Sequence, residues 1–288
     1  LGHHAGHTIA AGGKRLRPLL VILAAGPRAA GRPELIAAAA VELIHSATLV
    51  HDDVLDGASL RRGVPTVSAQ GGRALAVATG DLLFSRAFSE LTAAGSLEAV
   101  QALSRATSAL AEGELLQRED AWNQAVPVER YLLRCELKTA RLFEASCRLG
   151  ALAAQAPAAQ IAALAAFGRG IGIAFQLLDD VLDVAGPAAL TGKHRGTDLL
   201  DGTVTLPLIL AGERDSALAA VDLRAITTAE QAEALCDRIA ATGALEAAQA
   251  RALAIVEAAT AQLAPLALED GQREALELVA SSVADRKA

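Results

Sequence analysis

The chain has 288 residues, 52% of them hydrophobic and only 2% aromatic, with 26 basic against 33 acidic side chains and a net charge of −7. A chain this acidic lacks the basic face a nucleic-acid partner needs, and no apolar run reaches the roughly 18 residues of a membrane span without a charge, Gly or Pro. Ala and Leu supply the apolar bulk and both favour helix. No Pro/Gly/Ser-rich linker interrupts the sequence, so residues 1–288 read as one all-α domain, a single large helical bundle.

His3, His4 and His7 belong to a short N-terminal helix rather than a metal cluster. No charged stretch followed by an apolar one opens the chain, so no secretory leader is expected; with no Met anywhere, Leu1 reads as a trimmed start. Cys135, Cys147 and Cys236, odd in number and without C-x-x-C spacing, read as reduced thiols of a cytoplasmic protein. Gly12-Gly13 make a turn ahead of Lys14, Arg15, Arg17 and Pro18. Backbone N–H groups and cations at such a helix start suit an anion.

Residues 35–50 form an apolar helix free of Gly and Pro, with Glu42 and His45 as its titratable side chains. It ends in His51-Asp52-Asp53-Val54-Leu55-Asp56. Asp52 and Asp56 are i and i+4, so both carboxylates leave one face, with Asp53 close by. Three acids so placed repel one another unless a cation neutralises them, and oxygen-only ligands suit Mg²⁺, which is readily shared with phosphates. His45 lies two turns before Asp52 on the same face; His51 faces elsewhere and reads as structural. Arg61-Arg62-Gly63, in a turn ending at Pro65, adds two guanidiniums able to clamp phosphate oxygens.

Residues 71–91 form a helix with Phe84 and Phe88 at i and i+4 facing the core, and residues 97–117 form another, ending at the charge run 118–120. Residues 129–152 form a helix carrying Lys138-Thr139. Beyond Pro157, residues 161–178 form an apolar helix ending in Phe175-Gln176-Leu177-Leu178-Asp179-Asp180-Val181-Leu182-Asp183, a second D-D-x-x-D of identical spacing. Two such acid ends on apolar helices are hard to explain as surface decoration. Residues 186–202 form a polar loop holding Lys193, Asp198 and Asp201, and residues 206–288 form amphipathic helices without a chemical motif. Of the basic residues only four are Lys. Lys14, Lys138 and Lys193 fall within these motifs, where a compact ammonium rather than a planar fork fits a tight anion site.

In this order, Gly12-Gly13-Lys14-Arg15-Leu16-Arg17-Pro18, the first acid motif with Arg61-Arg62-Gly63, Gly80-Asp81, Gly113-Glu114-Leu115-Leu116-Gln117, Lys138-Thr139-Ala140, the second acid motif and Thr191-Gly192-Lys193 resemble the trans-isoprenyl diphosphate synthases, or polyprenyl synthetases, of medium/long-chain type. The resemblance covers nearly the whole chain. It implies an isoprenoid synthase bundle around a central cavity, working as a cytoplasmic homodimer with peripheral membrane contact for product release. The implied reaction is Mg²⁺-dependent head-to-tail (1′-4) condensation of isopentenyl diphosphate with an allylic diphosphate. Asp52, Asp53, Asp56, Asp179, Asp180 and Asp183 are then the metal ligands, for several Mg²⁺ ions, about three with diphosphate bound. Lys14, Arg17, His45 and Arg62 would hold isopentenyl diphosphate. Arg61, Lys138, Thr139, Gln176 and Lys193 would hold the allylic diphosphate, the last four also counting as catalytic, with Thr139 and Gln176 facing the carbocation. Departing pyrophosphate takes the final proton, so no protein general base is expected.

Two positions depart from the family pattern: Thr203 stands where a Lys is common, a contact Arg195 could replace, and Gly57 where an acid is common. Ala47, five residues before Asp52, with Thr48 beside it, would let the product grow down the helix, where a bulky aromatic would stop it. Leu43, Ile44, Phe84 or Phe88 would form the next stop, and at about one isoprene unit per helical turn the product is expected at roughly C30 to C50. The alternatives are a shorter-chain synthase of about C15 to C20 by the same count, the catalytic subunit of a heteromeric synthase, and a class I terpene cyclase. A cyclase would replace the second acid motif with an Asn/Ser/Glu triad and carry more aromatics; a non-catalytic subunit would have lost acids.

Overall fold

The structure, a computed structural model, describes residues 2–10, 12–27, 31–186 and 195–285. Its elements in chain order are α1 (Gly2–Ala10), α2 (Leu16–Ala25), α3 (Arg32–Leu55), β1 (Leu60–Arg61), β2 (Val64–Pro65), α4 (Val67–Ala93), α5 (Leu97–Asp120), α6 (Val128–Cys135), a π turn (Glu136–Ala140), α7 (Arg141–Ala153) and α8 (Ala158–Ala185). There follow α9 (Thr197–Leu200), α10 (Leu206–Arg214), α11 (Ser216–Ala219), a 3₁₀ turn (Leu223–Ala225), α12 (Ala229–Ala240), α13 (Ala244–Ala261) and α14 (Gln272–Ala284). The fold is all-α, as the composition predicts. Among the described residues the one sheet is a two-stranded hairpin pairing Leu60 with Pro65 and Arg61 with Val64.

The chain divides into two compact units. One comprises Leu1–Thr107, Ala145–Ala165 and Ala267–Arg273; the other Ser108–Glu144, Ala166–Leu266 and Glu274–Ala288. In the first unit α3 packs along α4 and α2, and α1 crosses both α3 and α4. Local chemistry sets the starts: Pro33 stands in the first turn of α3, where its missing N–H costs nothing, and the Glu34 carboxylate accepts the Gly31 N–H. Thr66 Oγ1 caps α4 by accepting the Ala69 N–H at 3.1 Å. A buried cluster of Ala5, Ala47, Val50, Val67, Ala76 and Leu83 joins α1, α3 and α4. In the second unit the core is built on the fully buried Tyr131, Phe143, Phe167, Ile171 and Leu177.

α3 and α8 are long and apolar enough to cross a membrane by length and composition, yet half of each apolar window is buried inside the protein. The sequence count stops at every charge and Gly, so it did not register them. In this fold they are core helices that end in acid.

The predicted helix over residues 129–152 proves to be two helices joined by the π turn. One extra residue in a turn re-aims the side chains that follow it, and such turns gather at functional sites; this one carries Lys138 and Thr139. Two glycines make room for it. A Cβ on Gly113 would lie 2.5 Å from the Lys138 backbone nitrogen, and one on Gly172 would lie 2.6 Å from the Ala140 Cα. Gly113→Ala therefore forces α5 off the turn and is expected to lower the unfolding free energy by about 1–3 kcal/mol, the usual scale of overpacking. Urea denaturation followed by circular dichroism measures this, and an unchanged midpoint would show that helix and turn separate without cost.

Candidate active site

Each acid motif points two carboxylates outward and one inward. Asp53 is only 5% exposed, and its Oδ1 accepts the Arg61 Nε–H at 2.6 Å. Asp56 is exposed and Asp52 half-buried. At the end of α8, Asp180 is 4% exposed: Tyr131 donates its hydroxyl to Oδ2 at 2.6 Å and Gln176 donates Nε2–H to Oδ1 at 2.8 Å. Asp179 is exposed and Asp183 half-buried. Burial first, then the charge of Asp198, pushes the Asp180 carboxyl up to about 7, against the two hydrogen bonds that favour its anion. The Tyr131 hydroxyl is pushed well above its ordinary value, first by burial and then by Asp180, and stays a donor.

In the first unit the basic residues gather around His45. Arg17 Nη1 lies 3.2 Å from His45 Nε2. Burial first, then Arg17, Arg62, Arg61 and Arg15, lowers the His45 pKa well below the ordinary histidine value, so the ring is neutral at pH 7. Arg62 reaches back to the Gly12 carbonyl, and a Cβ on Gly13 would lie 2.6 Å from its Nη1. The double glycine is thus what lets the guanidinium lie along the turn. Burial, then Arg15 and Arg61, lowers the Arg62 pKa. Arg15 pairs with Glu42, and Lys14 is exposed beside it. A cluster of guanidiniums around a neutral imidazole is an anion site.

In the second unit Lys138 Nζ pairs with Glu114 at 2.6 Å and donates to Gln117 Oε1 at 3.1 Å, so two of the Gly113–Gln117 landmark residues brace the lysine. Thr139 donates its hydroxyl to Gln176 Oε1 at 2.7 Å, which links the π turn through Gln176 to Asp180. Lys193 lies outside the described residues. Arg195 donates its Nε–H to the Val184 carbonyl at 2.8 Å and pairs its Nη2 with Asp237 at 2.9 Å. Thr203 ties down its own loop, donating its N–H to the Asp198 carbonyl at 2.8 Å.

His51 stacks on Phe84 at 5.8 Å and lies 3.5 Å from Asp81, and a Cβ on Gly80 would collide with its ring. The Gly80-Asp81 landmark is therefore a seat for His51. Ala47 is fully covered within the α1, α3 and α4 cluster, with Leu43 and Phe84 packed against it. Thr48, one position on, is partly exposed and donates its hydroxyl to the His45 carbonyl at 2.8 Å, and Phe88 is half-buried.

Sequence reasoning passed over Tyr131. Its signal was slight, a lone Tyr seven residues before Lys138, two helical turns back. Among the described residues no group of three or more His, Cys, Asp and Glu side chains is preassembled around a metal position.

An all-helical chain whose acid-ended helices carry outward i, i+4 carboxylate pairs, with a separate cationic cluster, defines a protein of the isoprenoid synthase class. Residues 1–242 match the Polyprenyl synthetase family profile. A heptaprenyl diphosphate synthase component 2 from Geobacillus stearothermophilus is 44% identical over 223 residues, 77% of this chain and 69% of that protein. An octaprenyl diphosphate synthase from Escherichia coli is 40% identical over 208 residues, 71% of this chain and 64% of that protein. The crystal structure of a polyprenyl synthase from Caulobacter crescentus, complexed with calcium and isoprenyl diphosphate, superposes with a TM-score of 0.91 at 39% identity, covering 99% of this chain and 89% of that one. The chain belongs to the polyprenyl synthetase family.

The Tyr131–Asp180 bond yields a prediction. Tyr131→Phe removes one oxygen and leaves a buried carboxyl short of a donor, at an expected cost of about 1–3 kcal/mol in unfolding free energy. Chemical denaturation of the variant measures it; a midpoint equal to that of the parent would show that the bond does not brace α8.

Proposed function

We propose that the chain is a Mg²⁺-dependent trans-polyprenyl diphosphate synthase, joining isopentenyl diphosphate head to tail to an allylic diphosphate in the cytoplasm. The observation that carries this reading is the repeated end of α3 and α8: two carboxylates outward and a third braced inward. The outward pairs, Asp52 with Asp56 and Asp179 with Asp183, would hold Mg²⁺; Asp53 and Asp180 keep the helix ends in register. Mg²⁺ held there would supply positive charge to stabilise the diphosphate as it leaves. Arg61, Lys138 and Lys193 would add cations there, with Thr139 and Gln176 toward the allylic carbon. Arg17, Arg62 and Lys14, with neutral His45 as a hydrogen-bonding partner, would hold isopentenyl diphosphate. The apolar walls of α3 and α4 would exclude water from the cation.

The test is incubation with Mg²⁺, labelled isopentenyl diphosphate and each allylic primer in turn, with sizing of the products. Asp179→Ala, which removes an exposed side chain, is expected to cut turnover by about a hundredfold or more while leaving helical content unchanged. Near-normal turnover at saturating Mg²⁺ would defeat the assignment.

We propose a product of roughly C30 to C50 by the layer count along α3. The small residue at position 47 supports this reading, and the heptaprenyl and octaprenyl names of the relatives agree with it. Ala47→Phe would push its ring into the space of Leu43 and Phe84, and products are expected to shorten to about C15 or C20. Thr48→Phe, from a partly exposed position, separates truncation from failure to fold. Unchanged product from both folded variants would remove this stretch of α3 from the length determinant.

A homodimer is the assembly this reading takes, with peripheral membrane contact as product leaves. A heteromeric synthase is the second reading, favoured by the component 2 name of the 44% identical relative. Activity of the purified chain alone, with its mass by light scattering, separates the two.

A further inference from the structure

The loop that follows the second acid motif is fastened at both ends. At its near end the Gly196 N–H donates to the Asp183 carbonyl at 2.9 Å and the Asp198 N–H to Asp183 Oδ2 at 3.2 Å. The loop then makes the single turn of α9, closed by the Asp201 N–H on the Thr197 carbonyl at 3.1 Å and the Gly202 N–H on that of Leu199 at 3.2 Å. At its far end the Gly202 carbonyl accepts the Trp122 N–H at 2.8 Å. Trp122 comes from the connection between α5 and α6 and holds φ at +67°, which L residues adopt only under constraint. Its indole lies flat against Gly202, where a Cβ would be 2.3 Å from Cδ2 and Cε2. Gly202 itself has φ +71°. Arg224 covers the ring, its guanidinium carbon 5.8 Å from the centroid. The next carbonyl but one, Val204, accepts from the buried Arg134.

Asp183 is one of the two outward acids of its motif, and the Asp198 N–H holds one of its oxygens. Whatever fixes the path from Gly196 to Gly202 therefore fixes where the other oxygen of Asp183 points. We propose that Trp122 is a positioning residue of the reaction: its indole and N–H clamp the 196–203 loop at Gly202 and so hold Asp183 in the geometry that receives the metal–diphosphate group. This rests on the function proposed above and adds to it a residue with no acid, base or phosphate-binding chemistry of its own. Trp122 is also the only Trp in the chain, so its emission reports the state of this loop directly.

The experiment compares Trp122→Ala, Trp122→Phe and the parent protein. The alanine variant is expected to raise KM for the allylic diphosphate about tenfold, with KM for isopentenyl diphosphate within about twofold, because only the loop at the second motif is loosened. The phenylalanine variant, which keeps a ring on Gly202, is expected to restore most of the allylic affinity. In the parent, Trp122 emission is expected to shift when Mg²⁺ and inorganic pyrophosphate are added together and not with Mg²⁺ alone; Asp183→Asn should abolish that shift. Gly202→Ala should shift emission without ligand, and should do less harm to allylic KM in the Trp122→Ala background, where the colliding ring is gone. An unaltered allylic KM in Trp122→Ala, or an equal rise in both KM values with a fall in Tm, would overturn the proposal while the condensing activity of the parent stood. A parent that condenses nothing, yet shows the pyrophosphate-dependent shift, would defeat the functional reading and leave the clamp in place.

Discussion

An aspartate beside another on a helix cannot share its direction. Successive side chains diverge by roughly 100°, while positions i and i+4 nearly coincide. In each D-D-x-x-D the first and last acids therefore leave together, and the middle one turns toward the core whenever the helix is buried on that side. The protein has to satisfy that inward carboxylate, and much of the local architecture does so. Asp53 is met by Arg61, which the Leu60–Pro65 hairpin carries back to the end of α3. Asp180 is met by Tyr131 and Gln176. Gln176 is held in turn by Thr139 on the π turn, against which Gly113 and Gly172 pack with no room for a Cβ.

This explains why the acid motifs were legible in the sequence and their support was not. Two carboxylates four apart on an apolar helix can be read without coordinates, because helix geometry alone places them. The same holds for α3 and α8, whose apolar composition leaves no other element type open. Partners distant in sequence leave no periodic trace: Tyr131 is 49 positions from Asp180. The π turn was invisible for another reason. Residues 129–152 keep helical composition throughout, and the glycines that leave room for the turn lie on other helices. Conversely, landmarks to which the sequence attached no chemistry turned out to be packing. Gly80 and Asp81 seat His51, and Gly13 makes room for Arg62.

Around His45 the logic runs on charge. Burial first, then four arginines, lowers its pKa, so the ring stays uncharged and can pack against Arg17 without repulsion. A protonated ring would add a further positive charge beside Arg17, Arg62, Arg61 and Arg15. Under the proposed function an anion would relieve the cluster, and a diphosphate would bring the charge it lacks. The imidazole would then be the neutral member that fixes geometry while the guanidiniums supply charge.

The two acid ends differ in how the inward carboxylate is answered. At the first, a guanidinium neutralises Asp53 outright, so the outward pair faces a site already balanced in part by Arg61. At the second, Asp180 is held by the neutral donors Tyr131 and Gln176, and burial first, then the negative charge of Asp198, pushes its carboxyl up to about 7 against those two hydrogen bonds. Neutral donors orient an anion without cancelling its field. The inward acid of α3 is thus answered by a charged partner and that of α8 by uncharged ones, a difference the identical D-D-x-x-D spacing does not show.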